Sequence, residues 1–287
     1  MKISQLFKNT DRTIFSVEIF PPKKDSPIES VYNKLEEICE IKPDFISVTY
    51  GAGGKGDQSQ TCEIASKIKN DFGIESVAHL TCINSTKEYI DLQLEDFKKN
   101  NIENILALRG DYMEGVEPEN DFLYASDLCA YIKARRNFDV AGACYPEVHI
   151  EAKDEVEDIL NLKKKVDAGA DHLISQLFFD NSVFYRFLER SKIAGINVPI
   201  EAGIMPVTNK SQIEKMVSMC GASLPAKFSK IMQKYENKPE ALRDAGIAYA
   251  VEQIVDLIAN GVDGIHLYAM NNPYVVQRIF NSVESLL

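Results

Sequence analysis

Eight short apolar segments recur along the chain, each followed by a stretch of helical pattern, and the unusual polar residues gather where those segments end. Glu18 lies near the end of Thr13–Phe20, and Thr49 near the end of Phe45–Tyr50. His79 and Thr81 close Val77–Cys82, while Arg109 and Asp111 follow Ile105–Leu108. Tyr145 and Glu147 follow Val140–Cys144, and Gln176 lies within His172–Phe179. Val198–Ile204 and Gly264–Ala269 complete the strands. Apolar residues at helical spacing predict helices over Pro27–Glu40, Gln58–Phe72, Thr86–Asn100, Phe122–Arg136, Asp154–Ala168 and Ser182–Ala194. Further helices are expected over Ser211–Cys220, Pro225–Tyr235 and Pro239–Asn260, with a last one from Pro273. Gly73, Gly169, Gly195 and Gly261 stand as helix stops. This alternation predicts an α/β fold, a (β/α)8 TIM barrel forming a single domain over residues 1–287. A doubly wound open sheet is the rival, and it requires a reversal of strand order that pattern alone does not reveal. In a barrel, the polar residues at the strand ends mark a catalytic mouth.

Composition narrows the function. A formal charge of −11 argues against a general nucleic-acid binder, although a local cation cluster can still hold an anionic ligand. The six cysteines show neither a CxxC pair nor metal-finger spacing and read as reduced, small hydrophobes. The first nine residues lack the apolar stretch of a signal peptide, and no window approaches the ~20 apolar residues of a membrane span. A cytoplasmic protein without membrane contact is expected.

Several motifs bear on chemistry. Gly51-Ala-Gly-Gly-Lys-Gly56 resembles a phosphate loop but matches neither GxxxxGK[ST] nor GxGxxG, which disfavours a Rossmann-type nicotinamide enzyme. Glu18 precedes Phe20-Pro21-Pro22; facing inward it would be desolvated, and desolvation raises a carboxyl pKa toward the range of a general acid. Facing outward it would be an ordinary edge residue. Arg109-Gly-Asp111 joins a cation, a flexible backbone and an anion, either as a site or as a local ion pair. Glu147 and His149 lack the second carboxylate–histidine set of a metal centre, so no metal is expected, and His172 and His266 carry no assigned role. Asp158, Asn161, Lys164 and Lys165 lie within two turns of one helix, where the cation pair suits a phosphate-bearing ligand.

These segments together resemble the methylenetetrahydrofolate reductase family along nearly the whole chain. The resemblance rests on Phe15–Lys23, Ser47–Ala52, His79–Cys82, Ala107–Asp111, Tyr124–Asp127, Tyr145–His149, Asn161–Ala170 and Gln176–Asp180, in family order. It implies a short, bacterial-type, FAD-dependent barrel of one-carbon metabolism and methionine biosynthesis. Such an enzyme passes a hydride from NADH or NADPH through FAD to 5,10-methylenetetrahydrofolate by ping-pong kinetics, giving 5-methyltetrahydrofolate. It further implies Glu18 as general acid at folate N10 and Asp111 as the carboxylate that tunes the flavin and stabilises the folate iminium.

By the same resemblance Thr49, Tyr50, Ala52, His79, Arg109, Gly110, Asp111, Tyr124, Ala125, Tyr145 and His149 bind FAD. So do Asp158, Asn161, Lys164 and Lys165. Glu18, Gln176, Gln212 and Asn272 bind the folate. Asn272 stands where the best-known bacterial members have an Arg, and Met216 where they have a Phe. A homo-oligomer is expected. The alternatives are a subunit of a larger electron-transfer complex, whose partner reduces the flavin, and a non-catalytic folate-binding barrel.

Overall fold

The computed structural model describes the chain except residues 23–25, 51–57, 113–114, 116, 136, 210, 212–216 and 218–219, and the side chains of 58 and 59. Ala52, Gln212 and Met216, together with the 51–56 glycine segment, therefore lie outside the described residues, as does most of the helix expected over 211–220.

Eight parallel strands close into a barrel in sequence order. They are β1 (Ile14–Ile19), β2 (Phe45–Val48), β3 (Glu75–Thr81), β4 (Asn104–Leu108), β5 (Asp139–Cys144), β6 (His172–Ser175), β7 (Ile200–Ile204) and β8 (Gly264–Leu267). Closure comes from β8 pairing with β1 in the register Ile14↔Gly264 to Val17↔Leu267. Ten α-helices are seen among the described residues. They are α1 (Ile3–Asn9), α2 (Glu29–Cys39), α3 (Gln58–Asn70), α4 (Lys87–Lys99), α5 (Ala125–Arg135), α6 (Glu155–Asp167), α7 (Asn181–Ile193), α8 (Ala226–Tyr235), α9 (Pro239–Ala259) and α10 (Pro273–Val283). Outward strand residues such as Phe15, Val17, Ile46, Val48, Leu80, Ile105 and Ile265 pack under the helices in one large buried cluster. Strands covered on both faces in this way need apolar side chains at nearly every outward position.

The single-domain barrel expected from the alternation is the observed fold, with three local corrections. First, α1 carries no strong helical pattern, and it is tertiary contacts that fix it. Its Ile3 N–H donates to Asn104 Oδ1 (3.0 Å) and its Ser4 N–H to Asp139 Oδ2 (2.9 Å). These bonds satisfy two of the amides that a helix start leaves without partners. Ile3 joins Ile14, Phe45, Val77, Leu106, Ala141 and Ile174 in an apolar cluster at the strand-start end of the barrel. Second, β6 stops at Ser175, so Gln176 follows the strand rather than lying within it. Leu177 and Phe179 instead join Met205, Val207, Phe228 and Tyr249 in a second core cluster. Third, α5 starts at Ala125, because Asp121 accepts the Lys87 N–H and Asp127 accepts those of Leu123 and Tyr124. All six cysteines are free thiols, and five are buried. Among the described residues no helix is long and apolar enough to cross a membrane.

Candidate active site

Strand alternation turns Glu18 into the barrel, so the outward-facing reading of this residue does not hold. It is 7% exposed, with its Oε2 3.6 Å from His79 Nε2 and 3.9 Å from His266 Nε2. Thr49, just past β2, is also buried, and its hydroxyl has no hydrogen-bond partner among the described residues. A buried hydroxyl in that condition is costly unless a ligand completes it. Tyr268, just past β8, donates its hydroxyl to Ser175 O (2.7 Å), and burial pushes its phenol well above the usual range.

Asn271, unmarked in the sequence beside the candidate Asn272, locks the end of β1. Its Oδ1 accepts the Phe20 N–H (2.8 Å), and its Nδ2 donates to Phe20 O (2.7 Å). The backbone manages this by taking Met270 and Asn271 through positive φ (53° and 54°). Asn272 itself caps α10, accepting the Val275 N–H at 3.3 Å.

A cavity of about 610 Å³ opens beside this centre, between the ends of β4 and β5 and the start of α6. Arg109, Tyr124, Tyr145, His149, Asp158 and Lys165 line it together with Ala125, Asn161 and Lys164, whereas Thr49, Tyr50, His79, Gly110 and Asp111 of the expected set are not among its lining residues. Arg109 does not pair with Asp111. It forms a two-pronged ion pair with Glu151 (Nη2–Oε1 2.8 Å) and lies over the Tyr112 ring at 5.1 Å. Nothing in the sequence marked Glu151, an acid two residues beyond His149 that reads as surface. Tyr145 and His149 meet edge to face with centroids 4.5 Å apart, and the intervening Val148 holds φ 76°, a strained conformation for a β-branched residue. Glu147 is turned away and accepts the Ser223 N–H at 3.0 Å on both oxygens. Lys165 Nζ donates to Ala143 O; burial lowers its pKa, and Cys129, Cys144 and Asp158 oppose that shift.

A second hollow of about 280 Å³ is lined by Tyr50, Thr81, Asn84, Gly110 and Asp111, so the Arg109–Asp111 segment runs between the two spaces. Gly110 has φ +86°, and a Cβ there would stand 3.0 Å from Thr81 Cβ, so the turn requires glycine. Asp111 is exposed, and its backbone oxygen accepts from Asn84 Nδ2 (3.3 Å). Gln176 follows β6 directly, its Oε1 accepting the Leu177 N–H of its own neighbour (2.8 Å).

Burial pushes the His79 imidazolium down to about 4; Glu18 opposes the shift and His266 adds to it. The unfolded chain therefore binds this proton more readily than the native state. Stability conferred by the neutral ring is complete above pH 6.5 and is lost as pH falls from 6.5 toward 4. The loss amounts to about 3 kcal/mol at most. Denaturant midpoints measured across this window should fall for the wild type and fall distinctly less for His79→Gln. Identical slopes would remove His79 as the source.

The sequence profile of the methylenetetrahydrofolate reductase family matches residues 2–284. The 5,10-methylenetetrahydrofolate reductase of Escherichia coli (strain K12) is 39% identical over 257 residues, covering 89% of this chain and 86% of that protein. "Methylenetetrahydrofolate reductase (NADH) 1" of Arabidopsis thaliana is 37% identical over 275 residues, covering 91% of this chain. The chain spans less than half (46%) of the length of that plant relative. An uncharacterized protein from Clostridium thermocellum, described as binding two copies of 5-methyl-5,6,7,8-tetrahydrofolic acid, shares the fold at TM-score 0.68 and 14% identity. The alignment covers 98% of both chains.

Proposed function

The chain belongs to the methylenetetrahydrofolate reductase family, and we propose that it reduces 5,10-methylenetetrahydrofolate to 5-methyltetrahydrofolate with a hydride from NADH or NADPH carried by FAD. The observation that carries this reading is a buried carboxylate, Glu18, at the barrel mouth, with His79 within 4 Å and a cation-lined cavity alongside.

The residues present suit FAD. A cavity of about 610 Å³ falls in the range of cofactor sites, and Arg109, Lys164 and Lys165 in its lining would supply the positive charge that a pyrophosphate calls for. Asn161, Asp158 and His149 offer the hydrogen bonds of a ribose or adenine. FAD, when bound, supplies the hydride acceptor and donor for the two half-reactions. The rest is done by the protein. Glu18 donates a proton to folate N10, which opens the five-membered ring to an N5 iminium. The exposed Asp111 carboxylate supplies negative charge for that cation. Gln176 orients the pterin, with Gln212 as its expected companion.

An anaerobic visible spectrum tests the whole sequence in one cuvette. The purified chain should be yellow, bleach with NADH or NADPH, and recover its colour on addition of methylenetetrahydrofolate. A yellow protein that neither nucleotide bleaches would favour a separate electron-donor subunit, and a colourless protein that FAD does not reconstitute would end the reading. Lys165→Met should weaken FAD binding by about 10- to 100-fold, the worth of one charge-assisted hydrogen bond. Fluorescence titration of the apoprotein measures it; an unchanged affinity would remove Lys165 from the cofactor site.

A further inference from the structure

Below the mouth, the barrel interior holds a continuous line of ionisable groups that the folding of an apolar core does not call for. His266 Nδ1 lies 2.7 Å from Ser16 Oγ, and Ser16 Oγ lies 2.8 Å from Glu201 Oε2. Ser16, Glu201 and His266 are all fully buried. On its other side His266 Nε2 faces Ser47 Oγ at 3.2 Å and Glu18 Oε2 at 3.9 Å. That last gap closes by a small rotation of the carboxylate, in keeping with catalytic contacts that tighten only when substrate binds.

The remaining charged neighbours are few. Among the described residues Glu201 Oε1 has no hydrogen-bond partner, and it lies 3.9 Å from His172 Nε2, whose Nδ1 is 3.6 Å from Asp139 Oδ2. Asp44 acts on Glu201 from a longer range, and His79 stands across Glu18 from His266. Phe45 stacks on the His266 ring at 6.0 Å and Tyr268 meets its edge at 5.1 Å, so aromatic rings pack against the line on two sides. Burial raises the Glu201 pKa, while His266, His172 and Ser16 oppose the shift.

Of the two buried carboxylates at the ends of this line, Glu201 is the one whose pKa burial raises, so it is the poorer seat for a charge. The bridge between them works in either direction. With the proton on Glu201, its O–H donates to Ser16 Oγ, the Ser16 O–H donates to His266 Nδ1, and His266 Nε2–H faces the Glu18 carboxylate. With the proton on Glu18, its O–H faces His266 Nε2, His266 Nδ1–H donates to Ser16 Oγ, and Ser16 donates to the Glu201 carboxylate. Reversing these contacts moves one proton from Glu201 to Glu18 and asks of the heavy atoms only the carboxylate rotation that closes the 3.9 Å gap between Glu18 and His266.

We propose that Glu201, Ser16 and His266 form a proton relay in which Glu201 holds the proton that Glu18 delivers to the substrate. This rests on the assignment of Glu18 as general acid, and the three act through Glu18 as positioning residues. The proton lies on Glu201 while the mouth is taken up by the nicotinamide half-reaction and passes to Glu18 for the folate half-reaction. After Glu18 has protonated N10 both carboxylates are charged. The line then takes one proton from water at the open mouth, through Glu18, His266 and Ser16 back to Glu201.

Two measurements test it. The infrared difference spectrum of wild type minus Glu201→Gln, at neutral pH and without cofactor, should contain a protonated-carboxyl band. Carboxylate bands in its place would show Glu201 ionised and overturn the proposal. In stopped-flow experiments on the FAD-loaded proteins, the folate half-reaction is compared with the nicotinamide half-reaction as its reference. Above neutral pH the folate step should fall about tenfold in Glu201→Gln, as if one pKa unit of proton occupancy were lost. Ser16→Ala, which cuts the bridge and spares both carboxyls, should do the same and serves if Glu201→Gln does not fold. A wild-type pH profile in Ser16→Ala would equally overturn the relay. Should the folate fail to reoxidise the wild-type flavin, the proposed function falls, and the infrared result still reports the proton on Glu201.

Discussion

Glu18→Gln should retain FAD and its reduction by the nicotinamide dinucleotide while slowing the folate half-reaction by about 10²- to 10⁴-fold, the usual worth of a general acid. The amide has the size of the carboxyl and fills the same space between His79 and His266, 3.6 and 3.9 Å away, so the packing of the mouth is preserved. What it lacks is an acidic proton. Ring opening at N10 without one produces a poor leaving amine, and the lost stabilisation, about 3–5 kcal/mol, falls on the transition state alone. Flavin reduction needs no such proton and is the internal reference. Stopped-flow absorbance resolves the two steps; a variant with near-normal folate turnover would remove Glu18 from the acid role. Because the amide fills the same space, the melting temperature of this variant should hold. Loss of activity with retained stability then separates chemistry from folding.

What the sequence made legible follows from where its signals are local. Period-two and helical patterns are carried by neighbours in the chain, so the eight strands and the helices between them were readable residue by residue. The candidate site was readable as a set of strand ends because a parallel barrel places those ends on one face. The interior relay was not, since Ser16 and His266 are 250 residues apart and a lone histidine in a strand says nothing of what it will face. The partner of Arg109 was hidden for the same reason, with Glu151 arriving from the next βα connection. The overrun of β6 had a different cause. Leu177-Phe178-Phe179 is as apolar as a strand, but Tyr249 donates its hydroxyl to Phe179 O and Gln253 Nε2 donates to Phe178 O, which draws those carbonyls out of the sheet ladder.

That packing between the β6–β7 ends and α9 makes the second large effect a structural one. In an isolated helix, Gly→Ala in the interior of Pro239–Ala259 should stabilise by about 1 kcal/mol. At Gly246 the sign reverses. A Cβ built there would stand 1.7 Å from Val207 O and 2.7 Å from Val207 C, and the obstacle is backbone rather than a side chain able to swing aside. Either α9 withdraws from the barrel or the segment after β7 moves, and both open the cluster of Met205, Val207, Phe179, Phe228 and Tyr249. Interiors packed to crystal density have no slack for such a shift. Gly246→Ala should therefore lower unfolding free energy by about 3 kcal/mol or more, at the upper end of overpacking costs. The measurement is the denaturant midpoint at unchanged slope, with the exposed Ala248→Gly as a propensity reference expected to cost about 1 kcal/mol. Because Val207 leads from β7 toward the segment that holds Gln212, folate affinity should fall with stability in Gly246→Ala and stay unchanged in Ala248→Gly. A Gly246→Ala protein more stable than the wild type would mean that helix and carbonyl do not approach this closely in solution, and the coupling of α9 to the folate side of the mouth would fall with it.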